Sequence, residues 1–291
     1  MPDEATTHYQ SLIDQSTWGL RRLNDTFGKC GRPRVTWQID PFGHSREMAS
    51  LYAQMGYDAM YFAREDYQDR RYRQYHHTLE HVWQGSDDLG NRSDIFTGMM
   101  QMGYGPPNGL DWDLVGGEND PIVDNKNSEE YNVPEIVEKF QKLARKYSYY
   151  YATNHIMFPM GTDFNYQSAH QWYKNMDKLI DAINGDQKSN VRTFYSTPTC
   201  YTKALWNSNH TWTSKNDDYF PYASDPHAYW TGYYTSRPSL KRMERVANNW
   251  LQACKQLDAL AINNGRFDDN ITNLREAMGI LQHHDAVSGM L

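Results

Sequence analysis

Apolar residues recur at helical spacing from residue 4 to 27, where Tyr9, Leu12, Ile13, Leu20, Leu23 and Phe27 share a face, with Asp3 available as a cap and Gly28 as a stop. RVTWQI follows, rich in β-branched and aromatic residues, and then the loop DPFGHS. The spacing predicts a short helix from Ser45 to Gly56, with Met48, Leu51, Tyr52 and Met55 aligned, and DAMYF reads as the next strand. Such a strand-loop-helix-strand unit implies parallel strands joined by a right-handed crossover. Residues 67–130 show little periodicity and are punctuated by GYGPPNG and GGENDP, so they read as long surface excursions. Order returns with a helix from Pro134, a strand at HIMF, a helix carrying Trp172, Met176, Leu179 and Ile183 that ends at Gly185, and a strand at VRTFY. From Pro238 the pattern changes. Leu240, Met243, Ala247, Trp250, Cys254 and Leu257 alternate three- and four-residue steps, the seam of a bundle helix that stops at Asn263-Asn264-Gly265. A second helix is expected from about Asn273, with Glu276 completing a capping box. The fold class is therefore α/β, with residues 1–236 forming part of an α/β barrel and 237–291 opening a helical bundle.

Composition narrows the possibilities. The chain has 291 residues, 36 acidic against 29 basic side chains and a formal net charge of −7, with no local run of Lys and Arg. Nucleic acid is excluded as an expected partner on electrostatic grounds. No stretch approaches the roughly 18 apolar residues of a membrane span. The opening residues MPDEATTHYQ lack the basic and apolar regions of a signal peptide. Three cysteines, Cys30, Cys200 and Cys254, make an odd count, and N-x-[ST] triplets at Asn24, Asn91, Asn209 and Asn270 point towards the secretory pathway.

Motifs for nucleotide binding, serine hydrolysis, zincin and dithiol chemistry are absent from the sequence, which leaves carboxylates and histidines. Asp163, in GTDF, follows an apolar strand and is either a catalytic group or a cap for the next helix. Asp217 and Asp218 stand among aromatic rings in KNDDYFPYA, as a raised-pKa general acid would, or as a solvated acidic turn. His283, His284 and Asp285 end a helix, and adjacent histidines point apart, so at most one faces a given metal. His76, His77 and His81 lie in a charged stretch and read as a solvated face. DPFGHS, with Asp40, Gly43 and His44, reads as a turn feeding the next helix, with His44 or Ser45 as its cap.

Taken together, WQIDPFGHSREMASLYAQMGYD, NHIMFPMGTDFNY, YSTPTCY, DDYFPYA, YWTGYYTSRPSLKR and LQHHDAVSG resemble the catalytic domain of family 38 glycoside hydrolases, the class II α-mannosidases, and within them the lysosomal acid enzymes. The resemblance runs in order over nearly the whole chain. It implies a seven-stranded α/β barrel followed by a three-helix bundle, a Zn2+ cofactor, mannose-containing oligosaccharides as substrates and a lysosomal destination. It also implies Asp163 as nucleophile and zinc ligand, Asp218 as general acid/base, His284 as zinc ligand and Asp285 as a contact to sugar hydroxyls.

The family's other two zinc ligands come from a His-x-Asp motif that the resemblance puts ahead of Met1. The chain is accordingly expected to be a piece of a longer protein, binding zinc weakly and turning over little substrate by itself, with the disulfide partner of Cys254 in that earlier part. The residue types suit a retaining glycosidase, which needs two carboxyl groups about 5 to 5.5 Å apart, one to attack the anomeric carbon and one to protonate the leaving oxygen. The alternatives are a non-catalytic carbohydrate-binding homologue, suggested by the abundant Tyr and Trp, and a Golgi-type processing mannosidase.

Overall fold

The computed structural model describes residues 1–114, 119–261 and 268–290. The expected stop of the bundle helix at residues 263–265 lies outside them, as does the side chain of Asn270. The chain divides into two compact units, one made of residues 1–70, 81–98 and 214–291 and the other of residues 71–80 and 99–213.

The first unit opens on α1 (Tyr9–Phe27), which ends where expected, at Gly28 with φ 62°, but is capped by His8 rather than Asp3. Asp3 is buried and accepts instead from the amide (2.7 Å) and hydroxyl (2.6 Å) of Thr6. The β-loop-α-β unit forms as the pattern requires: β1 (Val35–Gln38), α2 (Arg46–Gln54) and β2 (Ala59–Phe62), with the strands parallel in the register Val35 to Ala59. All four residues of β2 are buried, the signature of a strand covered on both faces.

Two further strands, β3 (Glu80–Gln84) and β4 (Asp94–Met99), and a charged helix, α3 (Tyr67–His76), arise in the stretch expected to be surface excursion. The physical reason is composition. None of α3 is buried, while β3 buries Glu80 and His81 beside Trp83, so neither shows clean apolar periodicity. With the short β5 (Ser214–Lys215) these strands complete a five-stranded sheet of order β1-β2-β4-β3-β5, in which β3 and β5 are also parallel. His81, expected on a solvated face, is buried against the Tyr219 hydroxyl, 2.8 Å from its Nε2.

The second unit packs α4 (Val133–Ser148) on α5 (Ala169–Gly185) around Leu110, Trp112, Ile122, Phe140, Trp172, Leu179 and Ile183. HIMF and VRTFY, expected as strands, form no strand among the described residues. Strand propensity becomes a strand only when a neighbour supplies the ladder. A helix that no pattern announced, α6 (Pro198–Asn207), starts on Thr197, whose hydroxyl accepts from the Cys200 amide at 3.2 Å.

Back in the first unit, α7 (Pro238–Leu260) and α8 (Asp268–Leu281) supply the two helices expected at the end, α8 starting five residues before Asn273. They meet through Leu251, Ile271 and Met278. The mixed α/β class stands. No described helix is long and apolar enough to cross a membrane.

Candidate active site

Three loops of the first unit converge. One is DPFGHS, leaving the end of β1; the second is residues 217–222; the third is the turn at residues 283–285 beyond α8. His44 and Tyr219 exchange both backbone hydrogen bonds, at 3.3 and 2.9 Å, which ties the first loop to the second. The ring of Phe42 meets His284 edge-on at 5.9 Å, tying the first loop to the third, and the Phe42 carbonyl accepts from the Tyr233 hydroxyl at 2.9 Å.

The centre of this convergence is Asp40. Its Oδ2 lies 2.8 Å from His284 Nε2, and its Oδ1 accepts from Arg64, from Nε at 2.7 Å and also from Nη2. The hydrogen bond from His284, helped by Arg64 and opposed by partial burial, holds the Asp40 carboxyl down at about 2. Arg64 is itself braced over the rings of Phe42 and Trp230, at 5.4 and 5.1 Å. His284 is buried, which disfavours its charge, yet its Nδ1 lies 2.9 Å from the Met1 carbonyl and its Nε2 faces Asp40, so its pKa ends up raised. Both partners are acceptors, and an imidazolium donates to both.

DPFGHS thus does more than turn the chain. Ser45 caps α2, accepting from the Met48 amide at 3.0 Å, as expected. The Asp40 carboxylate is bound by Arg64 and His284. The signal available in the sequence was its position, just beyond the end of a parallel-sheet strand, where catalytic groups collect.

The other expected site residues fall as follows. Asp285 sits beside His284, with Oδ2 3.8 Å from Nε2, and its amide donates to His283 Nδ1 at 3.0 Å. His283, His284 and Asp285 offer three ligand atoms within 4.8 Å of one another. Asp218 is exposed in the second loop, and its Oδ1 accepts from the Phe220 amide at 3.2 Å, the work of a turn carboxylate. Trp83 Nε1 donates to the Asp217 carbonyl at 2.8 Å, fixing that loop to β3.

Asp163 lies in the second unit, exposed, with the Tyr104 hydroxyl donating to its Oδ2 at 3.4 Å. It does not cap α5, whose N-cap is Ser168. Its loop is nevertheless built with care: the Thr162 amide donates to Asn165 Oδ1 at 2.7 Å, and Asp113 Oδ2 accepts from the Tyr166 amide at 2.9 Å and from Trp172 Nε1 at 2.7 Å. Phe164 takes φ 61° and is 87% exposed.

Residues 1–225 match the N-terminal domain of glycosyl hydrolases family 38, and residues 228–290 match the α-mannosidase middle domain. The chain belongs to glycosyl hydrolase family 38. Lysosomal α-mannosidase of Homo sapiens is 51% identical over 296 residues, covering 99% of this chain and 29% of that protein. An α-mannosidase of Arabidopsis thaliana is 47% identical over 295 residues, covering 99% of this chain and 28% of its own length. Among solved structures, an α-mannosidase from Enterococcus faecalis superposes with a TM-score of 0.67 at 17% identity, over 99% of this chain and 29% of that one, a likeness of fold. This family 38 chain therefore spans less than a third of the length of these relatives.

Proposed function

We propose that the chain carries the catalytic core of a zinc-dependent, retaining α-mannosidase that removes terminal α-linked mannose from N-glycan-derived oligosaccharides in the lysosome. The observation that carries this reading is Asp40, an ionised carboxylate wedged between His284 and Arg64 in a member of family 38. Residues 1–236 are read as part of the barrel domain and 237–291 as the start of the bundle.

The donor set suits the metal. An imidazole nitrogen and a carboxylate oxygen already in contact are ordinary zinc ligands, and Asp40 needs no deprotonation near neutral pH to serve. His284 would hold the ion through Nε2 after giving up that proton, while Nδ1 stays directed at the Met1 carbonyl, fixing the tautomer. Asp285, beside it, is the side chain left to contact sugar hydroxyls. A bound zinc would act as a Lewis acid on hydroxyls at C2 and C3 of the mannose ring.

The resemblance implies Asp163 as nucleophile and metal ligand and Asp218 as acid/base. Within the first unit, Asp40 is a second candidate for the nucleophile. The nucleophile must be ionised when it meets the anomeric carbon, and Asp40 is held ionised next to the proposed metal-ligating histidine. Asp218, one of whose oxygens accepts from the Phe220 amide, keeps the acid/base role that the resemblance implies.

Covalent trapping decides between these allocations. A 5-fluoro glycosyl fluoride applied to the full-length protein, followed by peptide mapping, is expected to label Asp40; a label on Asp163 would restore the role that the resemblance implies. Failure to label any carboxylate in a protein that cleaves aryl α-mannosides would overturn the retaining mechanism.

A further inference from the structure

The loop that carries Asp40 is clamped from below by a single buried side chain. Glu4 is fully buried, and its Oε1 accepts from Gln38 Nε2 at 3.0 Å and lies 2.9 Å from His44 Nδ1. Its Oε2 accepts from the Ser45 amide at 2.9 Å. Gln38 closes β1 two residues before Asp40; His44 and Ser45 open α2 four and five residues after it. One carboxyl group therefore grips both ends of the segment whose middle presents Asp40 to His284. His44 is locked a second time, its ring 4.1 Å from that of Phe62 on β2 and its backbone paired with Tyr219.

We infer that Glu4, acting through His44 and Gln38, is the positioning residue of the Asp40 loop, and that it sets the rate of the proposed glycosyl transfer without touching substrate. A loop leaving a strand is free to shift by an ångström unless both of its stems are held. A shift of that size at a reacting carboxylate costs about 100-fold in rate. Glu4 supplies three acceptor contacts to three donors, and they are not replaceable by an isosteric amide. In Glu4→Gln one end of the side chain becomes an NH2 group facing either the Ser45 amide or the Gln38 and His44 donors, so at least one stem is released.

The inference rests on the retaining-mannosidase reading above, and its test separates the two. Activity of the full-length wild-type protein on an aryl α-mannoside examines that reading alone; an inactive wild type with full zinc content would sink it and leave the loop geometry to be tested by crystallography. Assayed at saturating zinc, Glu4→Gln is expected to lower kcat by about 100-fold with KM within about twofold. His44→Ala is expected to lower kcat similarly, whereas His44→Asn, whose amide nitrogen reaches the Nδ1 position, should recover much of the loss. Crystal structures should show the Asp40 carboxylate displaced from His284 in Glu4→Gln and returned to it in His44→Asn. An unmoved Asp40, a loss of activity that only tracks the zinc-loaded fraction, or equal damage in His44→Ala and His44→Asn would each overturn the inference. Should Glu4→Gln fail to fold, the two His44 variants carry the same test.

Discussion

Glu80 enters the interior of its unit with one carboxyl oxygen taken by the Tyr201 hydroxyl and the other, Oε2, buried with no hydrogen-bond partner among the described residues. Burial pushes its carboxyl up to about 8, against the lowering effect of Tyr201. The folded protein therefore holds a proton that the unfolded chain, with its value near 4.5, gives up. The stabilisation is fully present below about pH 4.5 and is lost as pH rises towards 8, an effect on the order of a few kcal/mol. Urea melts of the wild type are expected to show lower stability at pH 8 than at pH 5, and Glu80→Gln, which keeps the contact with Tyr201, should flatten that slope. An unchanged slope would mean that Glu80 is ionised in place. Glu65, likewise buried and pushed up to about 7 despite its pairing with Arg70, adds to the slope in the same direction. A fold that gains stability on acidification suits the lysosomal setting proposed above. At this scale the sequence was legible in residue type more than in role. Carboxylates and histidines stood out, and His284 and Asp285 did so by adjacency. The weight to give Asp40 depended on Arg64 and His284, which lie 24 and 244 residues away along the chain.

Elements formed where one face of the pattern was strong and were overlooked where buried polar groups broke it. α1, α2, α4, α5 and α7 each carry an apolar stripe, and β1 and β2 are bounded by clear turns. α3 has no buried face and β3 is half polar, so local pattern carried no signal for either, and β4 packs by means of a glycine. Gly98 lies against Tyr61, and a Cβ there would fall 2.3 Å from its ring. Tyr61 is buried and cannot swing aside, so Gly98→Ala is expected to cost about 2 kcal/mol or more by thermal denaturation. Ser45→Ala removes the cap of α2 and should cost about 1 kcal/mol. Because the cap lies beside the Glu4 clamp, that loss should be accompanied by a fall in turnover larger than the stability change explains.

Over the whole molecule, the convergence of Asp40, His284 and Asp285 predicts metal dependence that point substitution can read. In the full-length protein Asp40→Asn and His284→Ala are each expected to lower bound zinc, measured by elemental analysis after gel filtration, by about 10-fold or more, whereas Asp218→Asn should leave it unchanged. Equal loss from Asp218→Asn would make that residue a metal ligand as well. The class of the fold, the helices with an apolar stripe and the family were present in the linear pattern, because period, capping residues and motif order are properties of neighbouring residues. The pairing of strands, the burial of His81 and Glu80 and the meeting of Asp40 with Arg64 and His284 were not. Each depends on which distant segments the core brings within hydrogen-bonding reach, and a carboxylate's charge state is set by those neighbours rather than by its place in the chain.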